Sequence, residues 1–255
     1  MLAGRIALVT GASRGIGAAV VRALASAGAS VIATDISNPS ELAAEINGLS
    51  IALDVTKERD WTDAMAVARR EAGGLDILVN NAGVFFLKPL VETSLEEWRQ
   101  LHAVNLDGIF LGCKHAIPLL AERAPLWRGG SAIVNMSSAA GLVGGANFVP
   151  YSASKGAVRL FTKSLAIELA PRNVRVNSIH PGFVDTPMGD DVISAVSHRA
   201  GIGRNDARSG LVAAHPLGRA ADAADIAEGV VFLASDKAGF ITGTELTIDG
   251  GMTAQ

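Results

Sequence analysis

The sequence contains a single cysteine, Cys113, so no intrachain disulfide can form. The residues next to it match no metal-binding pattern, and a buried, unreactive thiol is the simplest interpretation. The five histidines are scattered without the spacing of metal ligands. A disulfide-stabilised scaffold is therefore excluded, and no metal site is expected.

Charged residues are also few, at 18% of the chain, and the net charge is −3. No basic run indicates a nucleic-acid partner or binding to an anionic membrane. The apolar run at the N-terminus is too short for a signal peptide, and no stretch approaches the ~20 apolar residues of a membrane span. We therefore expect a soluble, cytoplasmic protein with neither nucleic acid nor membrane as a partner.

Apolar residues are abundant, at 49% of the chain, which is enough for a substantial core. Short apolar runs alternate with longer amphipathic stretches, and this pattern predicts a parallel sheet covered on both faces by helices. No repeat or linker divides the chain, so we predict one α/β domain over residues 1–255. The predicted strands are residues 5–9, 30–34, 50–53, 75–79, 131–137, 174–179 and 245–248.

The stretches between the strands predict helices at residues 16–27, 42–46, 58–70, 95–122, 152–169 and 226–234. Pro118 is expected to kink the longest of them or to end it. Residues 181–216 show no regular pattern and contain several glycines. Irregular segments of that length are usually functional or disordered, so we predict a substrate lid at about residues 185–216.

The first predicted strand is followed by a glycine turn, with Gly11, Gly15 and Gly17 in G-x-x-x-G-x-G spacing. Small residues let the backbone approach a pyrophosphate, and a helix N-terminus offers free N–H groups to it. A plain tight turn is the alternative, but the position between a strand and a helix favours phosphate binding. The predicted phosphate-binding residues are Gly11, Ser13, Arg14, Gly15, Ile16 and Gly17.

Asp35 ends the second predicted strand, where a carboxylate can accept hydrogen bonds from both hydroxyls of an adenosine ribose. A 2′-phosphate at this place would meet like charge, which favours NAD over NADP. Arg14 argues the other way, because a guanidinium could pair with that phosphate. We give Asp35 more weight, although a simple turn residue at a strand end remains an alternative.

Further polar and small residues follow the next two predicted strands. Asp54 and Val55 follow the third strand and are candidates for contacts with the adenine. Asn81, Ala82 and Gly83 follow the fourth strand and are candidates for contacts with the middle of the cofactor. Asn and Gly often form only a turn, but the carboxyl end of a parallel strand is where ligands bind.

Tyr151 and Lys155 lie four residues apart on a predicted helix and therefore share a face. An ammonium beside a phenol favours the phenolate, so we expect Lys155 to lower the pKa of Tyr151. Ser138, from a neighbouring strand, can hold a carbonyl or hydroxyl oxygen against that phenol. Such a group interconverts alcohols and ketones. The alternative is a buried tyrosine beside a solvated lysine.

With Thr10–Gly17, Asn80–Gly83, Asn105, Ser138, Tyr151, Lys155 and Pro181-Gly182 in this order, the chain resembles the short-chain dehydrogenase/reductase family. The resemblance covers nearly the whole chain. It implies a single Rossmann-type, doubly wound domain with a seven-stranded parallel sheet, a nicotinamide cofactor and a homotetramer. The C-terminal residues and the stretch around Asn105 resemble secondary-alcohol dehydrogenases of that family.

The resemblance also implies roles for individual residues. Tyr151 would be the general acid/base, Lys155 would lower its pKa and bind the nicotinamide ribose, and Ser138 would position the substrate oxygen. Asn105 would hold a water in a proton relay behind Lys155, with an ordinary surface or core asparagine as the alternative. The segment that contacts the nicotinamide carboxamide would comprise Pro181, Gly182, Val184 and Thr186.

Candidates for the substrate pocket are mostly apolar: Phe85, Ala140, Leu142, Val143, Phe148, Met188 and Val192. No cation is obviously placed to take an anionic substrate, although the lid contains Arg199, Arg204 and Arg208. We therefore predict an NAD-dependent oxidoreductase acting on a neutral, largely hydrophobic secondary alcohol or its ketone. An NADPH-dependent 3-oxoacyl reductase and a non-catalytic dinucleotide-binding protein are the alternatives.

Overall fold

A computed structural model describes all 255 residues. Its seven strands form one parallel sheet in the order β3-β2-β1-β4-β5-β6-β7. The strands are β1 Ile6–Thr10, β2 Ser30–Asp35, β3 Leu49–Ala52, β4 Ile77–Asn80, β5 Ser131–Met136, β6 Val174–Pro181 and β7 Glu245–Ile248. The predicted doubly wound, seven-stranded fold is therefore confirmed.

Nine α-helices connect the strands or follow them. They are α1 Gly15–Ser26, α2 Ser40–Glu45, α3 Glu58–Val67, α4 Leu95–His102, α5 Gly108–Arg123, α6 Val149–Leu169, α7 Pro187–Ala200, α8 Arg204–Ala213 and α9 Ala223–Ala234. None of them is long and apolar enough to cross a lipid bilayer.

The central strand β1 shows why the sheet is buried on both faces. Ala7 and Val9 belong to a core cluster with residues of α1 and α9. Ile6 and Leu8 belong to a second cluster, with residues of α3, α5 and α6. Successive side chains of a strand point to opposite faces, so a strand between two helical layers must be apolar at every position. That requirement produces the continuous apolar run seen in the sequence.

The strand order reverses at β1, because β2 and β3 lie on one side of it and β4 to β7 lie on the other. The loops that leave the carboxyl ends of β1 and β4 therefore diverge to opposite faces of the sheet. A crevice forms at such a switch point, and ligands bind there in open α/β sheets. The fold thus places the glycine turn after β1 beside the Asn81 loop after β4.

The prediction of one continuous helix over residues 95–122 is wrong for the middle of that range. A π-helical turn, Ala103–Asp107, separates α4 from α5. Pro118 also does not end the helix, which continues to Arg123. Proline removes one backbone hydrogen bond, but packing of an apolar face can outweigh that cost. That face of α5 includes the buried residues Cys113, Ala116, Leu119 and Leu120.

The prediction that residues 181–216 are irregular is also wrong, because α7 and α8 occupy most of this segment. Thr186 caps α7, since its side chain accepts a hydrogen bond from the backbone N–H of Gly189, and Pro187 follows in the first turn. The two helices pack around a small apolar cluster of Phe183, Ile193, Ala207 and Ala220. The Thr-Pro pair was the available signal for a helix start.

Candidate active site

A cavity of about 560 Å³ lies at the carboxyl ends of the strands. Its wall brings together most of the residues predicted as site residues, from seven separate parts of the chain. They are Gly11, Arg14, Gly15, Ile16, Gly17, Asp35, Asp54, Val55, Asn81, Ala82, Gly83, Ser138, Tyr151, Lys155, Pro181, Gly182, Val184 and Thr186. Ser13 and Asn105 do not line the cavity but hydrogen-bond to residues beside it.

The glycine turn forms a cradle in which Gly11 and Gly17 have no room for a side chain. A Cβ added at Gly17 would overlap the carbonyl group of Gly11 and lie 2.7 Å from Nδ2 of Asn81. That amide donates to the carbonyl oxygens of Thr10 and Gly11, which joins the turn after β1 to the loop after β4. Helix α1 begins here without a side-chain cap and with no acid in its first turn. Its free N–H groups therefore suit a pyrophosphate.

The Asp35 carboxylate is oriented by two backbone donors. Oδ2 accepts from the N–H of Ser13 at 2.9 Å, and Oδ1 accepts from the N–H of Ile36 at 2.7 Å. Each oxygen keeps capacity for another hydrogen bond, because a carboxylate offers about four lone-pair sites. The group lies on the cavity wall with Arg14. Asp35, which favours NAD, and Arg14, which favours NADP, therefore line the same cavity.

Lys155 is buried and makes no hydrogen bond with the phenol of Tyr151. Its Nζ donates to the carbonyl oxygen of Met136 at 2.8 Å and lies 5.7 Å from the centroid of the Tyr151 ring. Burial disfavours the ammonium and lowers the pKa of Lys155 to about 8.

The expected lowering of the Tyr151 pKa by Lys155 is not observed. Burial raises the pKa of the phenol, and the hydrogen bond with Ser138 only partly opposes that effect. The physical reason is that the phenolate would be desolvated, while the nearest ammonium is directed at a carbonyl oxygen instead. In this structure the neutral phenol is the favoured form.

Ser138 follows β5 and is held by two contacts, one through its side-chain oxygen and one through its carbonyl oxygen. Its Oγ accepts from the N–H of Ala140 at 3.1 Å, and its carbonyl oxygen is 3.0 Å from Nδ1 of His180. Nε2 of His180 lies 2.9 Å from Oγ of Ser178, so the ring donates through Nδ1 and accepts through Nε2. Burial lowers the pKa of His180, which favours this neutral ring.

His180 was not singled out in the sequence as part of the site. A lone histidine beside Pro181 carries no spacing signal, so only the fold reveals its contact with Ser138. Ser137 donates from its hydroxyl to the carbonyl oxygen of Lys155 at 2.8 Å. That bond ties the helix carrying the lysine to the segment after β5 that carries Ser138.

Asn105 lies in the π-helical turn and has its side chain paired with protein groups. Oδ1 accepts from the N–H of Val84 at 2.8 Å, while Nδ2 lies 3.0 Å from the Val84 carbonyl oxygen and 3.2 Å from Ser154 Oγ. A Cβ built on Gly83 would lie 3.3 Å from Asn105 Oδ1 and 3.6 Å from Lys155 Nζ, so the two side chains flank the same glycine. The water relay itself stays a prediction.

The substrate end of the cavity is apolar and contains aromatic rings. The ring centroid of Phe85 lies 5.5 Å from that of Phe148 and 5.2 Å from that of Tyr151, and the Phe85 and Tyr151 rings meet edge to face. Five of the predicted pocket residues line the cavity: Phe85, Ala140, Phe148, Met188 and Val192. The expectation for Leu142 and Val143 is wrong. The 3-10 turn at Ala139–Gly141 carries the chain away from the cavity, and Val143 is exposed.

Several residues of the cavity wall were missed in the sequence. Examples are Val84, Phe183, Asp191, Leu211 and Met252. Leu211 belongs to α8, whose helical character was not predicted, and Met252 follows the last strand. Nothing in the local sequence of these residues indicates that they meet at one cavity.

The three arginines of the predicted lid, residues 185–216, are each paired with an acidic side chain. The shortest nitrogen–oxygen distances are 3.2 Å for Arg199 and Glu92, 3.7 Å for Arg204 and Asp190, and 2.7 Å for Arg208 and Asp185. The Arg208 pair is bidentate. None of these three arginines lines the cavity.

The fold and the site define a Rossmann-type protein of the dehydrogenase class. A family model described as enoyl-(acyl carrier protein) reductase matches residues 11–253. The chain is 41% identical over 257 residues to cyclopentanol dehydrogenase of Comamonas sp. (strain NCIMB 9872), covering 98% of this chain and 97% of that protein. It is 40% identical over 266 residues to trans-4-hydroxycyclohexanecarboxylate dehydrogenase of Sinomonas cyclohexanicum, covering 99% and 94%.

Solved structures agree with the sequence relatives. Ligand-free aldohexose dehydrogenase of Thermoplasma acidophilum superposes with a TM-score of 0.89 at 33% identity, covering 100% of this chain and 96% of that one. The chain belongs to the short-chain dehydrogenase/reductase family, as the resemblance predicted. It is therefore an oxidoreductase of the alcohol dehydrogenase type, in a family that uses nicotinamide cofactors.

Proposed function

We propose that the protein is an NAD-dependent oxidoreductase that interconverts a neutral, largely hydrophobic secondary alcohol and its ketone. The observation that carries the proposal is the arrangement of one cavity. Its glycine cradle suits a dinucleotide, and Tyr151, Ser138 and Lys155 lie beside an apolar wall. Relatives named for cyclopentanol and for hydroxycyclohexanecarboxylate support a ring-bearing secondary alcohol as the substrate class.

The preference for NAD rests on the Asp35 carboxylate. The backbone N–H groups of Ser13 and Ile36 orient it at the end of β2. The residues that would hold the cofactor are Gly11, Ser13, Arg14, Gly15, Ile16 and Gly17 at the phosphates, Asp35, Asp54 and Val55 at the adenosine, and Asn81, Ala82, Gly83, Tyr151, Lys155, Pro181, Gly182, Val184 and Thr186 towards the nicotinamide. When bound, the nicotinamide ring supplies the hydride acceptor or donor.

The protein's own part in the reaction is to orient the substrate and to move a proton. Ser138 Oγ would hold the substrate oxygen beside the Tyr151 hydroxyl. In oxidation Tyr151 would accept the hydroxyl proton, and in reduction it would donate one. Lys155 would bind the nicotinamide ribose, while burial of Tyr151 favours the neutral phenol that donates the proton in reduction. Asn105 would link this group to solvent through a water.

The direct test measures the absorbance of reduced nicotinamide, with NAD and NADP offered separately. The alcohols should span aliphatic, cyclic, aromatic and steroid secondary alcohols, with the matching ketones in the reverse direction. Turnover of a neutral alcohol with NAD is the expected result. Reduction of 3-oxoacyl thioesters with NADPH, and no turnover of neutral alcohols, would instead establish the competing reductase activity.

We also propose a cytoplasmic homotetramer. Large apolar side chains are exposed on α5 and α6, notably Phe110, Leu160 and Ile167, and Phe240 is fully exposed before β7. Burial of these side chains against other subunits would remove their apolar surface from water. Light scattering coupled to size exclusion should give about four times the mass of one chain, and a monomer at working concentration would contradict the assembly.

A further inference from the structure

The cavity wall carries one lid carboxylate, that of Asp191 on α7. Met188, Asp191 and Val192 are three and four residues apart and therefore share one face of the helix, and all three line the cavity. The same face thus presents two apolar side chains and one acid to the ligand space. Asp191 is exposed, so it lies at the mouth rather than in the core.

The neighbouring charges do not neutralise this carboxylate. The three lid arginines could do so, but each pairs with a different acid. Arg204 pairs with Asp190, and the other two arginines pair with Glu92 and Asp185. Asp191 itself takes part in no ion pair or side-chain hydrogen bond. The three lid arginines are therefore engaged by other acids, and Asp191 at the cavity wall is left without a cationic partner.

The rest of the lid wall offers a substrate little polar competition. Besides Met188, Asp191 and Val192, the lid contributes Thr186, Pro187, Gly189 and Leu211 to the cavity, and of these four only Thr186 has a polar side chain. Phe85 and Phe148 line the cavity from other segments. An unpaired carboxylate above an apolar wall accepts hydrogen bonds and repels anions. Charge-assisted hydrogen bonds are roughly twice as strong as neutral ones, so such a group discriminates between substrates.

We propose that Asp191 determines substrate specificity: it accepts a hydrogen bond from a second hydroxyl group on the alcohol, and it rejects substrates that carry a carboxylate there. The inference rests on the proposed function, because it assumes that an alcohol occupies this cavity. It narrows the substrate class from neutral secondary alcohols to those with a further hydroxyl remote from the reacting carbon.

The test uses three ring alcohols of similar size that differ in the remote group: cyclohexanol, trans-1,4-cyclohexanediol and trans-4-hydroxycyclohexanecarboxylate. Wild type should use the diol about tenfold more efficiently than cyclohexanol, the size of effect expected for a hydrogen bond to a charged group. Asp191→Ala should abolish that preference. Asp191→Asn should keep part of it, because the amide oxygen still accepts, and both variants should raise kcat/KM for the carboxylate at least about fivefold.

Asp206→Asn is the matched control, because Asp206 is an exposed acid on the lid helix α8 that does not line the cavity. It removes the same charge from the lid and should leave all three substrate ratios unchanged. Cyclohexanol, which lacks a remote group, should be turned over equally by wild type and Asp206→Asn. Equal effects of Asp206→Asn and Asp191→Asn would overturn the proposal, as would unchanged diol and carboxylate efficiencies in Asp191→Ala.

Affinities measured by calorimetry with the same compounds separate this inference from the proposed function. If no alcohol is oxidised, the proposed function fails, but binding of the three compounds to wild type and to Asp191→Ala still decides the inference. Stronger binding of the diol to wild type, lost in the variant, supports it. Equal affinities for all three compounds in both proteins contradict it.

Discussion

Replacing Asp35 with asparagine is expected to erase much of the discrimination between NAD and NADP. The wild-type carboxylate is oriented by the N–H groups of Ser13 and Ile36 at 2.9 and 2.7 Å, so it cannot easily turn away from a 2′-phosphate. Two unit charges ~4 Å apart repel by about 1 kcal/mol in water and about 4 kcal/mol near a protein surface. Wild type should therefore prefer NAD by roughly fivefold to about a thousandfold.

The asparagine variant removes this repulsion but keeps one acceptor oxygen. Its NAD efficiency should fall, because one charge-assisted acceptor for the ribose is lost, while its NADP efficiency should rise. The measurement is kcat/KM for each cofactor with one fixed alcohol. Asp54→Asn is the control, because Asp54 lines the same cavity but is directed at the Thr56 backbone and hydroxyl. It should change both cofactor efficiencies by the same factor.

An unchanged ratio of the two efficiencies in Asp35→Asn would refute the electrostatic reasoning. A wild-type preference for NADP above about tenfold would refute it too, and would assign the 2′-phosphate to Arg14. In that case Arg14→Ala should lower NADP efficiency selectively.

Three further changes test other parts of the site. Tyr151→Phe should reduce turnover by about 10²–10⁴-fold, the usual contribution of general acid–base catalysis, while cofactor affinity measured by fluorescence titration stays near normal. Lys155→Met should remove one contribution to the pH dependence of the free energy of unfolding. Between the folded pKa of about 8 and the unfolded pKa of 10.5, Lys155 binds fewer protons in the folded state than in the unfolded state. Wild type therefore gains stability as the pH rises through that range. The gain relative to Lys155→Met, measured by urea unfolding, should be about 3 kcal/mol. Gly17→Ala should abolish cofactor binding because its Cβ overlaps the Gly11 carbonyl group, whereas Gly210→Ala, with open space around it, should bind normally.

Each of these expectations has a clear contrary result. Substantial turnover by Tyr151→Phe would mean that another group moves the proton. Parallel stability curves for wild type and Lys155→Met from pH 8 to 10 would mean that Lys155 is not desolvated as its burial implies. Normal cofactor affinity in Gly17→Ala would show that the turn can open without loss of the cradle.

The architecture was predictable because each part of it depends on a short-range pattern. Strands buried on both faces must be apolar throughout, as in β1, so their positions can be read directly. Tyr151 and Lys155 share a helix face because of their spacing alone. The close approach at Gly17 needs the absence of a side chain, which the sequence states explicitly.

The helices of the lid could not be predicted in the same way. Few apolar residues of α7 and α8 are buried, and these contact Phe183 and Ala220, which lie outside both helices. Most helical stability in proteins comes from such packing rather than from local propensity. The π-helical turn at Ala103–Asp107 is a similar case, since the bonds between Asn105 and Val84 join segments that are distant in the sequence.

The sequence by itself determined the parallel sheet, the glycine cradle and the candidate proton-transfer residues, because periodicity and spacing along the chain are sufficient for each. Only the tertiary structure decided which partner each charged group meets. It directed Lys155 to the carbonyl oxygen of Met136 and left Asp191 facing the cavity while the lid arginines paired elsewhere. Electrostatic effects depend on burial and on distances across the fold, and these are properties of the packed chain rather than of any local pattern.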